Sequence, residues 1–200
     1  MKTLQVIFAG SLLAISFLGC QNRSQRAADD SIDQAQDVND TTAMVNEQDA
    51  EFAVKAADAN LSEIELGKVA AAKATDQRLK DFAQKMIDDH QLANDELLTI
   101  ATKHNITLPP VMSEEHVAKQ MELQDKKGRA FDQAYIRMMV NDHDDAVSLF
   151  EDAASDARNM DLQAFAAKIL PKLKQHFEEA KSLRDSISPV DSTTVQRIMP

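Results

Sequence analysis

The chain has 200 residues, a formal net charge of −11, four glycines, five prolines and no tryptophan. This length fits one domain with appendages, and the composition favours helices over a β-sandwich or barrel. Without a dense basic patch, the sequence predicts neither nucleic acid nor an anionic membrane surface as an electrostatic partner.

Residues 1–19 have the pattern of a lipoprotein signal peptide. Lys2 precedes an apolar run over residues 6–18 that is short for a membrane span, and Gly19 precedes the only cysteine, Cys20. This arrangement resembles a bacterial lipobox, which implies cleavage before Cys20 and acylation of its thiol and amine. The alternatives are an uncleaved anchor or an ordinary signal peptide.

Residues 20–45 are polar and acidic, with almost no large apolar side chain. Such a segment buries too little surface to offset the entropy of ordering, so we expect a flexible tether. The two residues directly after Cys20 are Gln21 and Asn22, and the lack of an aspartate there favours the outer membrane over retention at the inner membrane. The sequence therefore predicts an envelope lipoprotein on the outer membrane, facing the periplasm. Its partner is the membrane, reached through the lipid anchor, and the sequence does not identify a protein partner.

Four long amphipathic helices are predicted next, and we call them helices A to D. They span about residues 46–74, 76–104, 129–158 and 161–187. The A–B and C–D connections are so short that each pair must be antiparallel. Pro171 lies within helix D and is expected to kink it or to split off its first segment.

The B–C connection is longer and begins with Pro109-Pro110. A shorter helix is predicted from Ser113 to about residue 127, closed by Gly128. The chain is thus predicted to be all-α, a ferritin-like four-helix bundle over residues 46–187 with a short extra helix in the B–C connection. Simple up-and-down connection of the helices is the alternative topology. Residues 188–200 are expected to form a disordered tail.

Each long helix carries one ionisable residue where its apolar stripe requires a core residue. These four residues are Glu63, His90, His143 and His176. Each lies near the midpoint of its helix, so packing of helices of similar length places all four in one interior layer. Helices B and C also share the sequence motif aromatic-x-x-x-Met-[Ile/Val]-[Asp/Asn]-Asp-His-x-x-Ala, which we interpret as a repeated local constraint.

One carboxylate and three imidazoles form a plausible set of ligands for a divalent transition metal, namely zinc, copper, manganese or iron. Five further residues are predicted to surround these ligands: Asp89, Asp142, Glu179, Met86 and Met139. The alternative is a hydrogen-bonded polar layer that only fixes the register of the helices. His104 and His116 lie near helix ends and are expected to be solvated.

Several motifs occur in a fixed order along the chain. They are Phe52-Ala-Val, Glu63-x-Glu65-Leu66-Gly67-Lys68-x-Ala70, Met86-Ile-Asp-Asp89-His90, Leu108-Pro109, Phe131-Asp132-x-Ala-Tyr135, Asp142-His143-x-x-Ala146 and Leu170-Pro171-x-Leu173-x-x-His176. Over residues 48–185 the chain resembles the ferritin-like family of predicted bacterial outer-membrane proteins catalogued as a domain of unknown function. The resemblance implies a ferritin-like bundle in the cell envelope and no established activity.

The di-iron members of the wider ferritin-like class carry Glu-x-x-His on two helices. In this chain the residues three positions before the layer histidines are Ile87, Val140 and Leu173. The missing carboxylates argue against ferroxidase or oxygenase chemistry. We therefore predict a metal-binding envelope lipoprotein that is not an enzyme. The two rival hypotheses are an interaction module with a purely structural polar layer and a redox metalloenzyme.

Overall fold

The structure is a computed structural model that describes residues 31–187. The predicted signal peptide, Cys20 and the predicted tail over residues 188–200 lie outside these residues. Within 31–187 the chain forms six helices and no strand, which confirms the all-α prediction. The helices are α1 (Ser31–Thr42), α2 (Glu47–Lys73), α3 (Gln77–Lys103), α4 (Glu114–Gln124), α5 (Gly128–Asp156) and α6 (Met160–Ile187). In this part of the chain no helix combines the length and apolarity that crossing a membrane requires.

Short polar side chains set the start of three helices, as the sequence predicts for Ser113. Asn46 accepts a hydrogen bond from the backbone of Asp49 at the start of α2. At the start of α3, Asp76 accepts a hydrogen bond from the backbone of Arg78. At the start of α4, Ser113 accepts one from the backbone of His116. Because these caps satisfy backbone N–H groups that have no partner inside the helix, they fix where each helix begins.

The four long helices pack as two hairpins, α2 with α3 and α5 with α6. The hairpins meet through α2 against α5 and α3 against α6. One apolar cluster joins the end of α2 to the starts of α3 and α5 and the end of α6. A second cluster joins the opposite ends of the same helices. Each long helix is therefore antiparallel to both of its neighbours, and the connection that contains α4 returns along the length of the bundle.

A polar layer separates the two apolar clusters. The first cluster contains Phe82 and Tyr135, and the second contains Phe52 and Phe150, whose ring centroids lie 5.2 Å apart. Glu63 and the three layer histidines are buried but belong to neither cluster. The residues that interrupt the apolar stripes therefore lie at the middle of the bundle, as their positions at mid-helix predict.

Two buried aspartates tie the hairpins together in a reciprocal way. Asp132 on α5 accepts hydrogen bonds from the backbone of Thr75 and Asp76 in the α2–α3 turn. Asp49 on α2 accepts bonds from the backbone of Arg158 and Asn159 in the α5–α6 turn. The first helix of each hairpin thus holds the turn of the other, which fixes the relative height of the hairpins.

Two expectations differ from the structure. Residues 31–42 were expected to belong to a flexible tether, but they form α1, which packs against α2. Asn39 exchanges two hydrogen bonds with the backbone of Thr107. The tether prediction missed α1 because its buried face carries small or polar residues (Ser31, Ala35, Asn39) and no large apolar side chain. In addition, α6 runs as one helix through Pro171, so the expected split into two segments does not occur, since packing of the helix outweighs the loss of one backbone hydrogen bond.

Candidate metal centre

Three histidines from three helices meet at the middle of the bundle. His90 on α3 is 5 % exposed, and His143 on α5 and His176 on α6 are each 1 % exposed. Their ring centroids lie 5.4 to 5.7 Å apart. Each ring offers one nitrogen, and these three atoms all lie within 4.8 Å of one another. This spacing allows three imidazoles to bind one metal ion after small side-chain adjustments.

Each of the three rings is held by one hydrogen bond from its other side. The bonds are His90 Nδ1 to Asn60 Oδ1 (3.0 Å), His143 Nδ1 to the carbonyl oxygen of Met139 (2.9 Å) and His176 Nε2 to Asp89 Oδ2 (2.8 Å). All three partners are acceptors, so the bonded nitrogen carries the proton in a neutral ring. The remaining nitrogens therefore carry lone pairs: His90 Nε2, His143 Nε2 and His176 Nδ1. All three of these atoms are buried and have no hydrogen-bond partner among residues 31–187.

Burial keeps the three imidazoles neutral. It lowers the pKa of His143 to about 4, and the nearby charge of His176 adds to this effect. Burial lowers the pKa of His90 well below its ordinary value. It also lowers that of His176, although the bond to Asp89 acts in the opposite direction. A neutral imidazole is the form that binds a metal ion, so these rings need not lose a proton first.

Glu63 lies beside the histidines but not within the set of three close nitrogens. Its Oε1 atom is 3.5 Å from His143 Nδ1, and its buried Oε2 atom has no partner among the described residues. Burial raises its pKa well above the ordinary value, and the neighbouring charge of Asp142 raises it further, whereas Lys119 lowers it. Without a cation nearby, burial therefore favours the protonated form of Glu63. A metal ion at the histidines would favour its ionised form.

The five residues that were predicted to surround the ligands fall into two groups, and Asp89 and Asp142 form the first. Asp89 orients His176 and lies 3.4 Å from Lys172, and Asp142 forms an ion pair with Lys119 at 3.2 Å. Both aspartates therefore belong to the surroundings of the layer.

The other three predicted neighbours have different environments. Glu179 is partly exposed and forms an ion pair with Lys85. Met86 and Met139 are fully buried in the first apolar cluster, where methionine fills space. Met139 contributes to the layer only through its backbone carbonyl.

The expectation that His104 and His116 are solvated is wrong. His104 is mostly buried and bonds to Asp161, with 2.7 Å between Nε2 and Oδ2. His116 is also mostly buried and pairs with the buried Asp58 at 2.7 Å. Both histidines pair with a carboxylate on another helix, so the helix ends are shielded by tertiary contacts that the local sequence does not reveal.

Sequence reasoning missed Asn60, which orients His90. Asn60 lies one turn before Glu63 on the same buried face of α2, so it interrupts the apolar stripe as the four predicted residues do. A polar residue within the apolar stripe was therefore the sequence signal that could have identified Asn60. Lys119 was also missed, because it comes from α4 and nothing in the local pattern connects it to Asp142.

The donors present fit a transition metal. Three imidazole nitrogens leave a fourth position for water, a carboxylate or another ligand, as in three-histidine zinc sites. A cavity of about 260 Å³ reaches Glu63, His90 and His143 from the side of α4 and provides room for such a ligand. No donor within the described residues satisfies the buried lone pairs, and a cation would do so.

The chain is thus an all-helical domain with a buried three-histidine cluster. The family model described as "Domain of unknown function (DUF4142)" matches residues 34–183, and the chain belongs to this family. No match to a curated protein or to a solved structure was found.

We expect the metal-free protein to lose stability as the pH is lowered from about 6.5 towards 4. A histidine whose pKa is lower in the folded state binds more protons when the chain unfolds, so acid favours unfolding over this range. Glu63 acts in the opposite direction, because its raised pKa stabilises the fold at low pH and this contribution is lost as the pH rises. Urea unfolding in chelator at several pH values measures the net effect.

Two variants separate these contributions. His143→Gln should make the pH dependence shallower, and Glu63→Gln should make it steeper. Identical pH profiles for both variants and the wild type would contradict the neutral state that burial imposes on these groups.

Proposed function

We propose that this protein is a lipid-anchored protein of the bacterial cell envelope that binds one divalent transition metal in its central layer, without catalysing a reaction. The ligands are His90, His143 and His176, with Glu63 as the adjacent carboxylate. The membrane is its partner through acylated Cys20, and the outer membrane facing the periplasm is its proposed location.

One observation carries the metal proposal: three buried imidazole nitrogens with lone pairs occur in one small cluster, and none of them has a donor among residues 31–187. Each lone pair costs free energy when it is buried without a partner. The costs add in the same place, and a single cation removes all of them. Imidazole donors suit zinc, copper and iron better than manganese, for which carboxylates are preferred.

We further propose the ferritin-like topology for the bundle. Two antiparallel hairpins, joined by a connection that returns along the bundle and contains α4, support this topology over simple up-and-down connection. The absence of Glu-x-x-His at the layer histidines supports binding without oxygen chemistry.

The alternative is that the layer only fixes helix register. It is favoured by the bonds that Asn60, Met139 and Asp89 make to the three rings, since these bonds need no metal. Melting temperatures of the full chain in chelator and in excess zinc, copper, manganese or iron distinguish the two functions. Metal binding predicts a higher melting temperature with at least one metal, because a ligand that binds the folded state stabilises it. Equal melting temperatures in every condition would favour the register layer.

Replacing Cys20 by alanine should release the protein from the membrane or leave an uncleaved precursor. Acyl chains on Cys20 are the proposed anchor, and two or more chains hold a protein stably on a bilayer. Membrane fractionation measures the release, and intact-mass spectrometry measures the acyl chains on the wild type. A mature N-terminus at another residue without lipid would contradict the anchor.

A further inference from the structure

Two cavities approach the histidine layer from opposite sides of the bundle. The α4-side cavity, of about 260 Å³, lies between α2, α4 and α5 and reaches His90 and His143. The α6-side cavity, of about 410 Å³, lies between α3 and α6 and reaches His90 and His176. The two cavities differ in whether their carboxylate oxygens already have hydrogen-bond or ion-pair partners.

The α4-side cavity contains a series of carboxylates that leads inwards. Their side-chain exposure falls from 76 % for Glu115 to 15 % for Asp142 and 6 % for Glu63. Asp142 Oδ2 and Glu63 Oε2 are both buried, and neither has a hydrogen-bond partner among residues 31–187. Two free carboxylate oxygens therefore lie between the cavity opening and the histidines.

Lys119 on α4 lies across this series. Its Nζ atom is 3.0 Å from Glu115 Oε1 and 3.2 Å from Asp142 Oδ1, so one ammonium group joins the outer carboxylate to the middle one. The side chain of Lys119 is 30 % exposed, which leaves it room to swing towards solvent. While it remains in place, its positive charge repels an incoming cation.

The carboxylates of the α6-side cavity are occupied. Both oxygens of Glu96 bond to Lys168. Asp89 bonds to His176 through Oδ2 and lies 3.4 Å from Lys172 through Oδ1. A cation that enters from this side meets two lysines and no free carboxylate oxygen on Glu96 or Asp89.

We propose that divalent cations reach the histidine layer through the α4-side cavity, with Asp142 and Glu63 as successive transfer ligands and Lys119 as the gate. A cation displaces the Lys119 ammonium from Asp142, passes to Glu63 and is then bound by the imidazoles. This route rests on the proposed function. Its physical basis is that carboxylates of decreasing exposure attract a cation inwards, while the positive charge of Lys119 at Asp142 controls access. Lys55 also lines this cavity, but its ammonium group pairs with Glu51 at 2.6 Å.

The test measures the rate of Co²⁺ uptake by the full chain, followed by stopped-flow visible absorption. Lys119→Gln should raise the association rate constant by about tenfold, because it removes the repelling charge from the cavity. Asp142→Asn should lower the rate constant several-fold, while the equilibrium affinity changes little because Asp142 is not a final ligand. Lys168→Gln changes the net charge by the same amount in the α6-side cavity, and it should leave the rate unchanged.

Unchanged uptake by Lys119→Gln and Asp142→Asn, with normal Co²⁺ binding at equilibrium, would overturn the route alone. Faster uptake by Lys168→Gln only would assign entry to the α6-side cavity and would overturn it as well. If the wild-type protein bound no Co²⁺ at equilibrium, the proposed function would fail, and the route with it.

Discussion

Replacing His143 by alanine should abolish the rise in melting temperature that a divalent transition metal gives to the wild-type protein. His143 supplies one of three imidazoles in a buried site, and two imidazoles cannot hold the ion nearly as tightly. At a free metal concentration of 100 times Kd, binding stabilises the wild type by about 2.7 kcal/mol. For a domain of about 150 residues this is a rise of roughly 5–10 °C, which differential scanning calorimetry in chelator and in excess metal measures directly.

His104→Ala is the matched control, because it also removes a mostly buried histidine with a carboxylate partner. It should lower the melting temperature in chelator, since Asp161 and Asn159 lose a partner, yet the metal-dependent rise should remain. A rise that persists in His143→Ala would contradict the assignment of the site. If His143→Ala lowers stability equally in chelator and in metal, and the wild type shows no rise, the layer is structural.

Replacing Asp132 by alanine should lower the free energy of unfolding by about 3 kcal/mol. Asp132 is buried and accepts bonds from the backbone N–H of Thr75 at 2.9 Å, from its hydroxyl group, and from the backbone N–H of Asp76 at 3.1 Å. Without the carboxylate the α2–α3 turn loses the buried acceptor that holds it against α5. Urea unfolding in chelator measures the loss apart from any effect of metal.

Asp81→Ala provides the comparison on an exposed surface, where the side chain only accepts a bond from Gln77 in the same helix. Its effect should stay within about 0.5 kcal/mol. Asp132→Asn, which keeps one acceptor oxygen, should fall between the two alanine variants. A stability of Asp132→Ala within the same narrow range as Asp81→Ala would show that the turn does not depend on this contact.

The helices and the convergence of the histidines could be predicted from the sequence because both follow from periodicity. An apolar stripe with a 3.6-residue repeat defines a helix, and an ionisable residue within it must face the interior. Helices of similar length place their midpoints at one height. His90, His143 and His176 therefore meet regardless of how the helices are connected.

The rest depends on contacts between residues far apart in sequence, which periodicity does not encode. Asn60 determines which nitrogen of His90 carries the proton, and Asp89 does so for His176. Each of these acceptors lies on a different helix from its histidine. The ion pair between Lys119 on α4 and Asp142 on α5 could not be predicted either, because the two residues belong to separate segments of the chain. In the same way, α1 packs through small residues whose burial is visible only in the folded chain.

Metal analysis of the natively produced protein, purified without an affinity tag, tests the central claim most directly. We predict about one equivalent of a single divalent transition metal per chain by elemental analysis. We also predict that a His143→Ala preparation made in parallel contains almost none. The contradicting result is a wild-type protein that carries no stoichiometric metal as purified and retains none after incubation with zinc, copper, manganese or iron followed by desalting.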